Sequence, residues 1–110
     1  MVDRKDEIIE KLTGLTDTLR RSGFRVVRVF LYGSSAKGNR NATSDIDVAF
    51  ISPDFHPNSM DEWTRLLRLC QEADVRIEPV FYRPEDFRDE EPLAWEIKST
   101  GHEIALTPAA

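Results

Sequence analysis

The spacing of apolar residues at the start of the chain is that of an amphipathic helix. The apolar side chains there lie one, three or four positions apart: Ile8, Ile9, Leu12, Leu15 and Leu19. Such spacing places them along one face of an α-helix. Gly23 follows the last of them and suits the end of a helix. We therefore predict a helix over residues 3–22.

The remainder of the chain alternates between strand-like and helix-like patterns. Segments rich in Val, Ile and Phe predict four strands, at residues 24–32, 45–51, 75–83 and 102–106. Helical spacing predicts two further helices, at 60–73 and 92–100, and a short helix or turn at 84–87. Small, polar and turn-forming residues predict loops between these elements, at 33–44 and 53–59.

The order of these elements predicts a mixed sheet. Strands 24–32 and 45–51 can pair antiparallel across their loop, whereas a helix between 45–51 and 75–83 permits parallel pairing. Pro79 cannot donate a ladder hydrogen bond, which favours an edge position or a bulge for strand 75–83. We predict one α/β (α+β) domain over residues 1–110, with a sheet of about four strands and helices mainly on one face.

Composition and charge exclude several classes of protein. The chain has 110 residues, a net charge of −5 and a single cysteine, Cys70. No apolar run approaches the length of a membrane span, and the charged N-terminus has no apolar signal core. The negative charge argues against extended contact with nucleic acid. We expect a cytoplasmic protein without membrane attachment. Cys70 is predicted to lie in the core, on one helical stripe with Trp63, Leu66 and Leu67.

Two aspartates, Asp45 and Asp47, interrupt an otherwise apolar strand. Alternate residues of a strand share a face, so both side chains point the same way, roughly 6.5–7 Å apart along the backbone. Carboxylates aimed at one point repel each other unless a cation lies between them, and Mg²⁺ prefers such oxygen ligands. Glu78 is a third acid among apolar residues, on the adjacent predicted strand. Three such acids can hold two metal ions about 3.5–4 Å apart, as phosphoryl transfer requires.

Each of these acids has a structural alternative. Asp45 and Asp47 are otherwise a pair of solvated acids at a strand end. Glu78 is otherwise an exposed edge-strand residue or the partner of Arg76 or Arg83 in a salt bridge.

A turn-forming pair, Gly33-Ser34, ends the strand that precedes the aspartates. Gly33 has no side chain, so a phosphate group can approach its backbone closely. A helical turn beginning there would direct free N–H groups at the anion, and the Ser34 hydroxyl can donate as well. Lys37 and Arg40, in the loop that follows, are candidates to meet the remaining phosphate charge. The alternative for both is that they are simply solvated.

Taken together, Gly33-Ser34, ten intervening residues and Asp45-Ile46-Asp47 resemble the GS-x10-DxD signature of the polymerase-β-like nucleotidyltransferase superfamily. The short chain resembles the minimal nucleotidyltransferase (MNT) group of that superfamily. Members of this group are typically encoded with a separate helical HEPN-domain protein, and some pairs act as toxin–antitoxin systems. The element order resembles the family over roughly residues 3–106, and the specific motif covers residues 31–51 together with Glu78.

The resemblance implies transfer of a nucleoside monophosphate, expected to be AMP from ATP, to an acceptor hydroxyl with release of pyrophosphate. Asp45 and Asp47 would ligate Mg²⁺, expected as two ions, and Gly33 and Ser34 would hold the β- and γ-phosphates. Glu78 would take the place of a third acid, often Asp in the family, which also ligates metal next to the acceptor. Larger members build the acceptor site with a C-terminal helical domain. A HEPN-type helical partner would supply that part here, in a hetero-oligomer, and a homodimer stays open.

Two other functions stay open at this point. One is a non-catalytic, antitoxin-like subunit that neutralises a helical partner by binding alone. The acidic run 85–91, which is otherwise a solvated turn, and the strand edge at 103–106 motivate it. The other is a drug-modifying nucleotidyltransferase that acts on a small hydroxyl compound.

Overall fold

The structure, a computed structural model, describes residues 4–33 and 45–108. The elements in this part of the chain are α1 (Arg4–Arg21), β1 (Arg28–Tyr32), β2 (Ile46–Ile51), α2 (Met60–Ala73), β3 (Ile77–Tyr82), α3 (Pro92–Thr100) and β4 (His102–Glu103). A 3₁₀ turn at Pro84–Asp86 follows β3. None of the helices in the described ranges is both long enough and apolar enough to cross a bilayer.

The four strands form one mixed sheet in the order β3-β2-β1-β4. β1 pairs antiparallel with β2 and with β4. β2 pairs parallel with β3, and α2 forms the crossover between them. The predicted α/β (α+β) class, the four strands and both predicted pairings are therefore confirmed.

The strands are shorter than predicted, because local hydrogen bonds replace the ladder at their ends. β1 begins at Arg28 rather than at position 24. Gly23, which follows α1, has φ 104°. The backbone N–H of Arg25 then donates to the Asp54 carboxylate at 2.8 Å rather than to a neighbouring strand. Before β3, the backbone N–H of Ile77 donates to the carbonyl of Asp74 at 3.1 Å, which closes a turn.

Strand β3 lies at the edge of the sheet, as Pro79 predicted. The carbonyls of Arg76 and Tyr82 accept hydrogen bonds from Ile46 and Ser52 on the β2 side, both at 2.9 Å. Backbone groups of alternate residues point to opposite sides of a strand, so Pro79 directs its donor-free nitrogen away from β2. The proline therefore costs the sheet no hydrogen bond.

The sheet is buried on both faces. The side chains of Ile46, Val48 and Phe50 point toward α1 and α2 and are fully buried there. On the opposite face, Ala49 and Ile51 pack with residues of α3. Two of the three helices thus share one face, as predicted, while α3 covers the other.

The stripe predicted on α2 is only partly buried. Leu66 and Cys70 lie in the core, as expected. Trp63 is 46% exposed, because it lies at the margin of the helix–sheet interface rather than inside it.

A charged cluster around Asp74 ties α1 to the start of β3. The carboxylate of Asp74 accepts from Lys11 Nζ at 2.8 Å and from the Arg76 guanidinium at 2.6 Å, and the Asp74 side chain is 8% exposed. The hydrogen bond from Arg76, aided by the one from Lys11, holds the pKa of Asp74 well below its ordinary value against the opposing effect of burial. The ionised form of Asp74 therefore stabilises the folded state.

Replacing this carboxylate should change how stability depends on pH. We expect Asp74→Asn to lower the free energy of unfolding near pH 7 by about 1–3 kcal/mol, because two cations lose a charged partner. A carboxylate with a lowered folded-state pKa stabilises the fold above its unfolded pKa of about 3.9, and this contribution disappears as pH falls toward the folded-state value. In urea titrations from pH 7 to pH 2, the gap between wild type and variant should narrow below about pH 4.

The exposed residue Asp17 of α1 offers the matched control. Asp17→Asn should stay within about 0.5 kcal/mol of wild type throughout. A gap for Asp74→Asn that is constant from pH 7 to pH 2 would contradict the assignment.

Candidate active site

One row of residues runs across three strands on the face that α3 covers. The register pairs Tyr32 of β1 with Asp47 of β2, and Asp47 with Glu78 of β3. Asp47 is half-buried and Glu78 is exposed. Asp45 is exposed and lies one residue before β2. The structure thus brings together the three acids that the sequence predicted, at the end of β2 where the strand begins.

Mutual repulsion and burial perturb these carboxylates. Burial raises the pKa of Asp47, the charge of Asp45 adds to the shift, and a hydrogen bond with Glu78 opposes it. The charge of Asp45 raises the pKa of Glu78, and burial, the charge of Asp47 and hydrogen bonds with both aspartates act in the same direction. The carboxyl groups of Asp45, Asp47 and Glu78 therefore lie close enough to interact, and such clusters of acids are typical of functional sites.

The donor set fits Mg²⁺ bound together with a triphosphate. Among residues 4–33 and 45–108, no three Asp, Glu, His or Cys side chains already form a metal-binding group. Such a preformed cage is not needed, because Mg²⁺ is usually held by one or two carboxylates while water and substrate phosphates complete its shell. Asp45 and Asp47 can supply those carboxylates.

Gly33 places backbone without a side chain next to the carboxylate of Asp47. It follows β1 directly and has φ 69°, a conformation that side chains with a Cβ rarely adopt. A Cβ at this position would lie 2.5 Å from Oδ2 of Asp47. The glycine is therefore required both by its backbone conformation and by the position of the Asp47 carboxylate.

Tyr32 is a member of the site that the sequence analysis missed. Burial raises the pKa of its hydroxyl to about 12, with further contributions from the charges of Asp47, Glu78 and Glu96. Its side chain therefore lies close to the carboxylates of Asp47 and Glu78 and also within reach of α3. One signal was present in the sequence: Tyr32 immediately precedes Gly33, at the end of the strand that pairs with the DxD strand.

The cations proposed as alternative partners of Glu78 have other contacts. The Arg76 guanidinium donates to Asp74, and Arg83 Nε donates to Asp86 at 3.0 Å. The charges that shift the pKa of Glu78 are those of the two aspartates. This favours the site interpretation of Glu78 over the salt-bridge interpretation.

Three of the predicted nucleotide-binding residues, Ser34, Lys37 and Arg40, lie outside the described residues. Their roles stay predictions.

Comparison with known families identifies the domain. The model of a family described as the nucleotidyltransferase domain matches residues 12–106. The chain belongs to the nucleotidyltransferase family. Because the match spans most of the chain, this nucleotidyltransferase is an enzyme of the class that the GS-x10-DxD motif implied. A search of curated protein sequences finds no significant match.

Solved structures with the same fold include two toxin–antitoxin chains. One comes from a toxin–antitoxin crystal structure with AMP-PNP, at TM-score 0.63 and 19% identity, covering 90% of this chain and 73% of that one. Another comes from a toxin–antitoxin MntA-HpeT mutant with two Asp-to-Glu substitutions, at TM-score 0.62 and 17% identity, covering 90% and 73%.

A third structure is a proposed nucleotidyltransferase from Sulfolobus solfataricus, at TM-score 0.54 and 17% identity, covering 74% of this chain and 71% of that one. At these identities the likeness shows the fold alone.

Gly33 offers a direct test of the site geometry. We expect Gly33→Ala to lower nucleotidyl transfer at least about tenfold, because the new Cβ displaces Asp47 and small misplacements of catalytic groups are costly. The measurement is incorporation of labelled nucleotide, with folding checked by circular dichroism.

Gly14→Ala is the matched control, since a Cβ at Gly14 of α1 meets nothing within 4 Å. It should transfer nucleotide at the wild-type rate. Equal activity of the two alanine variants would refute the proposed contact between Gly33 and Asp47.

Proposed function

We propose that this nucleotidyltransferase uses Mg²⁺ to transfer AMP from ATP to a hydroxyl group on a partner protein, as the MNT antitoxin subunit of a toxin–antitoxin pair. The observation that carries the proposal is the convergence of Asp45, Asp47 and Glu78 beside Gly33. Acidic ligands next to bare backbone suit a metal-bound triphosphate, in which negative phosphates and negative carboxylates share a cation.

The residues of the site would have different roles according to their positions. Asp45 and Asp47 would hold Mg²⁺, which when bound neutralises phosphate charge and stabilises the leaving pyrophosphate. Gly33 would let the β- and γ-phosphates approach the backbone at the end of β1, because it has no side chain. A Cβ there would meet the Asp47 carboxylate. The Asp47 side chain is half-buried, so part of the water that would compete for the cation is excluded.

Glu78 would act on the acceptor side. It lies across from Asp47 on the exposed edge strand, so an incoming hydroxyl can reach it from solvent. A carboxylate at this position would accept the proton of the acceptor hydroxyl. The same carboxylate is close enough to the aspartates to ligate a second ion.

The nucleotide and the partner are proposed on family grounds. One structural relative was crystallised with AMP-PNP, an ATP analogue, and two relatives are chains of toxin–antitoxin assemblies. A HEPN-type helical protein is the partner that the resemblance to the MNT group implies. Catalysis is favoured over binding alone by the clustered carboxylates, since a binding subunit has no need for three mutually repelling acids.

The decisive substitution removes the charge of one proposed metal ligand and leaves the size of the side chain unchanged. We expect Asp47→Asn to lower incorporation of labelled AMP from ATP by at least about 100-fold, because the amide cannot neutralise the cation. The reaction contains ATP, Mg²⁺ and the helical partner protein that the proposal expects, and transfer is measured by the mass increase of that partner.

Asp17→Asn on α1 is the isosteric control and should retain wild-type transfer. If Asp47→Asn modifies the partner at the wild-type rate, the proposal fails. If neither protein modifies the partner but both neutralise it in co-expression, the chain acts by binding alone.

A further inference from the structure

The two tyrosines of the chain lie on the same face of the sheet and differ in their hydrogen bonds. Tyr82 of β3 is partly exposed, and its hydroxyl donates to the Glu91 carboxylate at 2.9 Å. Tyr32 of β1 is only 9% exposed, yet its hydroxyl forms no hydrogen bond within the part of the chain that the structure describes. The more deeply buried hydroxyl is therefore the one without a partner.

A buried hydroxyl without a partner, such as that of Tyr32, is unusual in a folded protein. Most buried polar side-chain atoms have at least one hydrogen-bond partner, because burial without one destabilises the folded state. Phenylalanine would fill the same space without that cost. A group of this kind therefore needs an explanation, and a hydrogen-bond acceptor that arrives with a ligand is one.

The Tyr32 side chain is fixed in position by α3. Ala94 and Ile97 of this helix pack in the same cluster as Tyr32. A Cβ on Gly101, at the end of α3, would lie only 3.3 Å from Cβ of Tyr32, so the backbone there lies against the base of the side chain. Packing of this kind leaves the ring little freedom to turn toward solvent.

The hydroxyl of Tyr32 lies near the carboxylates of the candidate site. In the sheet register, Tyr32 is opposite Asp47, and Asp47 is opposite Glu78. Burial raises the pKa of the hydroxyl, and the charges of both acids add to the shift, so both lie within electrostatic range. Side chains stand roughly perpendicular to a sheet, and tyrosine is longer than aspartate. The hydroxyl therefore borders the space above Asp47 into which a ligand of that carboxylate would extend.

The nearby acids do not supply the missing acceptor. Asp47 forms a side-chain hydrogen bond with Glu78, and its Oδ2 lies toward Gly33. Glu78 forms hydrogen bonds with both aspartates. Glu96 of α3 is exposed and contributes charge, but no hydrogen bond joins it to Tyr32. The missing acceptor is therefore expected on a group that the site binds.

Tyr32 lies between the two sides of the proposed reaction. Gly33, which follows it directly, would be approached by the β- and γ-phosphates, and Glu78 would lie on the acceptor side. In an in-line displacement, the transferred phosphoryl group lies between the leaving group and the incoming hydroxyl. The α-phosphate would therefore lie over Asp47, which is the residue opposite Tyr32.

We propose that Tyr32 contacts the substrate: its hydroxyl donates a hydrogen bond to a non-bridging oxygen of the α-phosphate of the bound nucleoside triphosphate. This inference rests on the proposed function and adds to it a residue that contacts the transferred group. A tyrosine hydroxyl is protonated at neutral pH and is therefore available as a donor. A donor that packing already holds in place stabilises the negative charge on the oxygens of that group.

The hydrogen bond leaves the balance of the reaction unchanged. The acceptor oxygen forms a bond to the α-phosphorus while the bond to the bridging oxygen of pyrophosphate breaks, and the proton of the acceptor hydroxyl passes to the Glu78 carboxylate. Tyr32 keeps its own proton throughout. Phenylalanine at this position therefore removes the hydrogen bond and no step of proton transfer.

The first measurement compares the stability of Tyr32→Phe and Tyr82→Phe, which each remove one hydroxyl from the same face of the sheet. Tyr32→Phe should melt at or above the temperature of the wild-type chain, because the ligand-free fold loses no hydrogen bond. Tyr82→Phe should melt at a lower temperature, because it loses the bond to Glu91, the residue that caps α3. A lower melting temperature for Tyr32→Phe would reveal a structural partner of the hydroxyl and overturn the inference.

The second measurement is the affinity of the full chain for ATP with Mg²⁺, determined by calorimetry without an acceptor. Tyr32→Phe should bind ATP at least about fivefold more weakly than the wild-type chain, because one hydrogen bond to the substrate is lost. Tyr82→Phe is the matched control and should stay within twofold, since its hydroxyl is already bonded to Glu91.

Sulfur substitution in the nucleotide identifies the oxygen that accepts the hydrogen bond. Each diastereomer of ATPαS replaces one non-bridging oxygen of the α-phosphate by sulfur, a weak acceptor. One diastereomer should bind the wild-type chain at least about threefold more weakly than ATP, and this loss should disappear in Tyr32→Phe. An effect of sulfur on the metal ion would be the same in both proteins. Equal sulfur effects in both proteins for both diastereomers would contradict the contact.

The outcomes separate this inference from the proposed function. If the wild-type chain binds no ATP in the presence of Mg²⁺, the proposed function fails and this inference fails with it. If Tyr32→Phe binds ATP as tightly as the wild-type chain, the role of Tyr32 is wrong and the proposed function is unaffected.

Discussion

The placement of β2 between β1 and β3 is the constraint on which the rest of the structure depends. Its register with β3 sets Glu78 opposite Asp47, and its register with β1 sets Tyr32 on the other side. Because side chains alternate along a strand, a slip of one residue would turn Asp47 toward α1 and α2 and Ile46 toward the face that α3 covers. The buried packing of Ile46 and Val48 against α1 and α2 prevents that slip. Core and site are thus held by the same strand.

That arrangement maintains a local conflict of charge. Three carboxylates lie close enough to raise the pKa values of Asp47 and Glu78, although each would be more stable apart. The fold tolerates the repulsion because the core supplies the stability elsewhere, as is usual for functional sites. Gly33 is part of the same crowded arrangement, since only a residue without a Cβ leaves room for the Asp47 carboxylate. A shared cation would relieve the conflict, which is why the cluster favours metal-dependent chemistry over a structural role.

Sequence reasoning predicted which acids lie close together, but not what packs around them. The DxD pair and Gly33 were recognisable because their spacing depends on local backbone geometry, and Glu78 because an acid among apolar residues is unusual. Tyr32 was missed, since an aromatic residue at a strand end normally indicates core. The position of α3 was also missed: the pattern predicted a helix at 92–100 but did not specify that it covers the face on which Tyr32 and Asp47 lie.

By itself, the sequence determined the elements and the local geometry of the motif. Helical and strand periods follow from interactions between near neighbours, so α1, α2, β2 and the shared direction of Asp45 and Asp47 were predictable. The tertiary structure alone decided which residues meet across the sheet and which face α3 covers. Strand register and helix docking depend on contacts between residues far apart in the chain, whose energies no local pattern contains. Glu78 therefore became a neighbour of Asp47, and α3 a neighbour of the site, only on folding.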